Sequence, residues 1–323
     1  MCCVVRSGHR GALASHKLSR HCGRLARNIA ERGILQGIVT GAAFDPGHGS
    51  KRAERFITDP RILDGRRIKG RVTTWFMDNG GIFTDRLIAQ AEIAPGAKVL
   101  DFGCGGGDVT SRLAKAVGRS GETLGIDLNA AALDAARNKA NTDGITNVTF
   151  AEHDIRDFAD AGRRFDVIMC RRVLMYLPQQ IEIATALLKL LNPGGTLIVQ
   201  EHDASILHSN APLPLYQQAR SWIWDTVKAE GANINTGFDL NHILSAAGFS
   251  EITITAEAIV ETPTQGSQTA NIVKLLVPRI EAAGVATAGE IGANTLEQRL
   301  AEERHSNSAT VIGEMIFGAI AKP

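Results

Sequence analysis

Twelve residues, Val99 to Thr110, read VLDFGCGGGDVT and place four glycines between an apolar run and a helix-like pattern. A glycine-rich turn from strand to helix lets the backbone approach a ligand closely and presents helix N–H groups to it. Nucleotide-like cofactors are held in this way. The turn alone does not name the cofactor. Taken as a G-x-G-x-x-G pattern from Gly103, it breaks at the sixth position, where Asp108 stands instead of glycine or alanine. A carboxylate there repels a pyrophosphate seated on the helix N-terminus. As a helix N-cap, however, Asp108 is well suited to accept from the first free N–H groups. A phosphate-free ligand fits better.

Other acids agree. Asp127 ends the next strand-like run, about twenty residues past the turn, where a carboxylate accepts ribose hydroxyls. Asp154 ends the one after it, placed for the exocyclic amine of an adenine. Together with Asp101, these acids suit a ligand carrying an adenosyl group, an amino-acid tail and a positive sulfonium. S-adenosylmethionine is that ligand. No Cys/His cluster at zinc spacing occurs, so no metal is expected.

The elements that must position these residues alternate. Strand-like runs cover 97–103, 123–129, 148–154, 165–171 and 195–203; helix-like patterns cover 108–117, 130–142 and 178–191, the last closed by NPGG. Such alternation predicts βαβ units and a mostly parallel, doubly wound α/β sheet. The first, fourth and fifth runs are apolar throughout, as in strands covered on both faces. Residues 238–249 read as a further helix, and 251–260 and 309–321 as two late strands without a crossover, which suggests an antiparallel edge. The expected organisation is a basic extension over 1–40, a helical lid over 41–95 and a core over 96–323 with helical insertions near 204–235 and 263–305.

In order and at matching spacing, VLDFGCGGGDVT, GIDLN, AEHDI, FDVIMCRRVLMYLP and LNPGGTLIVQE resemble the motif series of class I S-adenosylmethionine-dependent methyltransferases of the small-molecule type. The stretch VGRSGETLGIDLN is similar to the ubiquinone/menaquinone-biosynthesis methyltransferases. The resemblance covers roughly 95–205. It implies a Rossmann-like seven-stranded sheet in the order 3-2-1-4-5-7-6, with the last strand antiparallel. It further implies that Gly103 and Gly105 lie against the methionine portion of the cofactor and that Asp127 binds the ribose with Leu128 against the adenine. Asp154 and Ile155 would meet the adenine edge and face, and Arg171 would offer backbone contacts to the tail. Asp101 and Cys104 complete this expected cofactor set, although Cys104, Leu128 and Ile155 also read as plain core residues.

Methyl transfer needs alignment above all, and a base where the acceptor is a phenol, alcohol or acidic carbon. His202 and Asp203, at the carboxyl end of the fifth strand, are the candidate base and its neighbour; Tyr176, just past the fourth, could hydrogen-bond the substrate. Trp75, Phe76, Trp222 and Trp224 suit either an aromatic lid over a flat or apolar acceptor or a second hydrophobic core.

Composition bounds the rest. The 323 residues are 44% hydrophobic and 21% charged with a net charge of +1, ordinary for a globular chain without a membrane span. Residues 1–32 hold seven Lys/Arg against one acid, leaving 28 bases and 33 acids, a net of −5, in the remainder. A mildly acidic body argues against a nucleic-acid partner, and no Asn/Asp-Pro-Pro-aromatic motif follows the fourth strand. Five cysteines, an odd number, read as reduced thiols of a cytoplasmic protein; an arginine-rich start reads alternatively as a mitochondrial transit peptide. The expected partner is a small molecule, with a homodimer among the open assemblies. The rival reading is a methyltransferase-like protein that binds the cofactor for a non-methylating step such as cyclisation, since its motifs would look the same. A nucleic-acid or protein methyltransferase ranks below both.

Overall fold

A computed structural model describes residues 75–155, 162–264 and 267–323, with side chains from Gly81 onward. The basic arm over 1–40, the rest of the stretch up to residue 74, and the side chains of Trp75 and Phe76 lie outside the described residues. Helix α1 (Trp75–Gln90) leads into β1 (Lys98–Phe102), α2 (Asp108–Val117), β2 (Glu122–Asp127), α3 (Ala130–Thr142) and β3 (Val148–Glu152). Then come β4 (Phe165–Arg171), a 3-10 turn over Leu174–Tyr176, α4 (Gln180–Leu190) and β5 (Leu191–Asp203). The remainder is β6 (His208–Ser209), α5 (Pro214–Ala229), α6 (Thr236–Ala247), β7 (Glu251–Glu261), α7 (Thr269–Ala282), α8 (Ala288–Ile291), α9 (Leu296–Ser306) and β8 (Val311–Lys322).

The sheet runs β3-β2-β1-β4-β5-β8, with β7 on the far side of β8 and the two-residue β6 pairing the start of β8. Pairs among β1 to β5 are parallel, and β8 is antiparallel to both β5 and β7. Apart from the short β6, this is the expected 3-2-1-4-5-7-6 order. Along the central strands, alternate side chains leave by opposite faces, and both faces are apolar. Val99, Val167, Met169 and Ile198 pack with Phe83, Leu87, Val109 and Leu113 of α1 and α2. Leu100, Ile168, Cys170 and Val199 pack with Ile183, Leu187, Leu240 and Leu244 of α4 and α6. Helices on both faces therefore require the unbroken apolar runs seen in the sequence.

Two local expectations change. The NPGG stretch does not simply close α4: pairing passes from Phe165–Leu191 to Val167–Thr196, so Asn192–Gly195 form an excursion within β5. Asp108 is not the N-cap of α2. That position belongs to Gly107, whose left-handed φ of 78° suits a residue without Cβ, and Asp108 is the first helical residue.

The insertions on either side of β7 pack on each other. From α5, α7 and α9, Leu213, Tyr216, Trp222, Val273, Leu276, Leu296 and Leu300 form a second core against Val311 of β8. Trp222 is one of its members, which places it in the core alternative rather than on an open lid. Among the described residues no helix is long and apolar enough to cross a membrane.

Candidate functional site

The carboxyl ends of β1 and β4 and the N-terminus of α2 form a cleft lined by Asp101, Gly103, Cys104, Asp108, Val109, Arg171 and Arg172. Ligands of doubly wound sheets bind at this end, at the switch between β1 and β4. The turn is built for close approach. Gly103 and Cys104 both donate N–H bonds to the Ile126 carbonyl, 2.8 and 3.0 Å. Gly103 has φ 72°, and a Cβ there would come within 2.3 Å of Val173. A Cβ on Gly107 would meet Ala136 at 2.9 Å, so the turn also lies tight against α3.

Asp127 couples this turn to the tip of β2. Its Oδ2 accepts from the Gly105 N–H at 2.9 Å and its Oδ1 from the Asn129 N–H at 2.8 Å. Burial raises its pKa, and these N–H bonds act against that. The Leu128 N–H acts in the same direction. Asp101 lies on the cleft floor, accepts from Thr110 Oγ1 at 2.6 Å, and is pushed up to about 7 by burial, against the pull of Thr110 and Arg171. Beside it Cys104 is buried and its thiol is pushed up, so it stays a protonated filler of the turn. Leu128 and Asp154 are half-buried, and Ile155 is buried within the main core.

The opposite charge comes from β4. Arg171 is lowered to about 10 by burial and by its neighbour Arg172; its Nη1 lies 3.8 Å from the Asp108 carboxylate and its buried Nε has no partner. Arg172 holds φ 56°, a conformation that side-chain-bearing residues seldom adopt. Buried Glu201 fixes the strained turn: its Oε1 accepts from the N–H groups of Val173 and Leu174 at 2.9 and 2.8 Å. Burial raises Glu201 to about 8, and its Oε2 is unpartnered.

The three expected catalytic side chains occupy different settings. His202 is buried, its Nε2 accepts from Arg172 Nε at 2.7 Å, and its Nδ1 faces the Glu314 carboxylate at 3.4 Å. Burial, with Arg172, lowers it to about 4. With both ring nitrogens engaged it is neutral at pH 7 and offers no free lone pair, which corrects its expected place as base. Asp203 also faces away from proton transfer: its carboxylate accepts from the Ser205 N–H and hydroxyl and from the Phe238 N–H. Tyr176 is buried with an unpartnered hydroxyl, raised by burial.

Sequence reasoning missed the residues that hold His202. Glu314 lies on β8, well below the ordinary carboxylate range because Arg220 and His202 outweigh its burial. Arg220 of α5 donates to Glu314 at 3.0 Å and to the Gly313 carbonyl at 3.1 Å. The available signal was one glutamate inside the apolar run VIGEMIFGAIA, since a lone charge at a core position calls for a buried partner.

A doubly wound sheet with a glycine turn tied to an acid at the next strand tip defines a Rossmann-like cofactor-binding protein. Residues 93–258, just over half the chain, match the methyltransferase domain family, and the chain belongs to it. It is 33% identical over 138 residues to a ubiquinone biosynthesis O-methyltransferase of Actinobacillus pleuropneumoniae, covering 38% of this chain and 57% of that one. A protein of the same name from Acinetobacter baylyi is 32% identical over 101 residues, 31% of this chain and 41% of the other. The chain thus spans about half the length of these curated relatives. The solved structure of YcgJ from Bacillus subtilis shares the fold, with TM-score 0.50 at 15% identity, over 75% of this chain and 98% of that one.

Proposed function

We propose that the chain is an S-adenosylmethionine-dependent methyltransferase acting on an oxygen of a small molecule. The observation that carries the reading is Asp127, a buried carboxylate at the tip of β2 that is locked to the glycine turn through the Gly105 N–H. The cleft fits the rest of the cofactor by charge. Asp101 and Arg171, the latter with an unpartnered buried Nε, offer opposite signs on one cleft wall and floor, as a zwitterionic amino-acid tail requires. The Asp108 carboxylate at the start of α2 disfavours a pyrophosphate there. Leu128, Asp154 and Ile155 at the β2 and β3 ends would hold the adenine. The curated relatives are named as O-methyltransferases, which supports oxygen as the methylated atom.

When bound, the cofactor supplies a sulfonium-activated methyl group. The chain's own contribution is to orient and to exclude water: Gly103 and Gly105 admit the tail, Asp127 fixes the ribose, and the Glu201-pinned turn sets Arg171 and Arg172 beside the cleft. His202 acts through Arg172, which it holds, as a positioning residue.

Incubation of the purified chain with methyl-labelled S-adenosylmethionine and a panel of phenols, amines and carbon acids tests the reading. Label in a phenolic ether is the expected product. Tight uptake of NAD(H) with no binding of S-adenosylhomocysteine would overturn the assignment.

A further inference from the structure

Four buried side chains from distant parts of the sequence meet end to end behind the cleft: Arg172 just past β4, His202 on β5, Glu314 on β8 and Arg220 on α5. Arg172 Nε donates to His202 Nε2, His202 Nδ1 faces Glu314 Oε2, and Arg220 Nη2 donates to that same oxygen. One end of this relay, Arg172, lines the cleft. The other sits on α5, whose Tyr216, Ala219 and Ile223 belong to the second core shared with α7 and α9.

A guanidinium only donates, so the bond from Arg172 requires a bare lone pair on His202 Nε2. The neutral imidazole then carries its proton on Nδ1, the nitrogen turned to Glu314. An ionised Glu314 only accepts, which favours that tautomer, and Arg220 supplies the cation that keeps it ionised inside the core. The hold matters at Arg172. Its left-handed backbone persists in a residue with a Cβ only where the surroundings over-determine it. Its N–H donates to the Gln200 carbonyl at 2.8 Å, and the side-chain bond to His202 is a second restraint. For stability alone, apolar side chains of the same volume often serve as well as a buried ion pair. They cannot fix an imidazole tautomer.

Resting on the cofactor reading of the cleft, we propose that Glu314 and Arg220 are positioning residues for cofactor binding: from β8 and α5 they hold the His202 tautomer that fixes Arg172 at the cleft wall. The layer of α5, α7 and α9 is thereby joined to the cleft by one line of side chains, and a change at α5 reaches the cofactor without touching it.

The test replaces the buried pair by apolar side chains of similar size, Arg220→Met with Glu314→Leu, a change that buried pairs often tolerate. Calorimetry on the full chain gives the affinity for S-adenosylhomocysteine. Nitrogen NMR of the histidine-labelled chain gives the tautomer, with His202→Gln identifying the His202 signals. In the parent, His202 should carry its proton on Nδ1. In the double variant that preference should be lost and the affinity should fall about three- to tenfold. In an Arg172→Ala background the same replacement should leave the affinity within about twofold, because nothing remains to be positioned. A merely structural pair would lower the affinity by the same factor in both backgrounds, and that result overturns the proposal. Unchanged affinity in the double variant does so too, as does a tautomer that ignores the pair. A proton on Nε2 in the parent overturns it without any variant having to fold. A parent that binds no S-adenosylhomocysteine sinks the cofactor reading, and the imidazole spectra then decide alone whether the relay holds Arg172.

Discussion

Replacing Asp127 by asparagine separates its charge from its shape. The carboxylate sits 2.9 Å from the Gly105 nitrogen and 2.8 Å from the Asn129 nitrogen and is nearly inaccessible to solvent. Hydrogen bonds to a charged group contribute about 1.5–3 kcal/mol each, so two ribose hydroxyls account for about 3–6 kcal/mol, or roughly 10²- to 10⁴-fold in affinity. Asparagine keeps one acceptor oxygen and turns an amide towards one of the two N–H groups. We expect Asp127→Asn to lose about 10²-fold in affinity for S-adenosylhomocysteine, and Asp127→Ala to fall nearer the upper end. The donor left facing the amide should lower stability by about 1–3 kcal/mol. Calorimetry gives the affinity and urea unfolding the stability, with Asp134→Asn on the exposed face of α3 as the charge-matched control. Binding by Asp127→Asn within about threefold of the parent would refute the reasoning, because two charged hydrogen bonds cannot vanish at so small a cost. Burial raises the Asp127 pKa, so affinity should also decline as the pH drops and the carboxylate protonates.

Other perturbations follow from the same geometry. Glu314→Ala leaves Arg220 buried without its countercharge and should cost about 3–5 kcal/mol in urea unfolding; a loss under 1 kcal/mol, the range of exposed pairs, would show that the relay contributes little. Gly103→Ala adds a Cβ 2.3 Å from Val173 at φ 72° and should weaken both folding and cofactor binding. Pairing it with Val173→Ala should recover the clash but not the strained backbone, and full recovery would exclude the strain. Glu201 binds its proton more tightly folded, at about 8, than unfolded, at 4.5. Between those values the native state holds the extra proton, so this residue makes stability fall as pH rises. Glu201→Gln keeps an acceptor for Val173 and Leu174 and should flatten that slope in melting temperatures from pH 5 to 8; an unchanged slope would assign it elsewhere.

Local physics fixed much of this protein before any tertiary contact was considered. The bounds of α2 and α3 follow from apolar periodicity and from glycine or asparagine at their ends, and those of β4 from its apolar run, all read within a few residues. The glycine turn and the acids at the tips of β1 and β2 were legible for the same reason, because strand-end position is set by neighbours in the chain. What the sequence withheld was who meets whom. His202 looked like a base until β8 and the turn after β4 supplied partners 112 and 30 positions away, and the excursion within β5 depends on its register with β4. The insertions around β7 became one layer with a shared core only on packing. Burial and charge pairing depend on distance in space, and only the folded chain sets that distance.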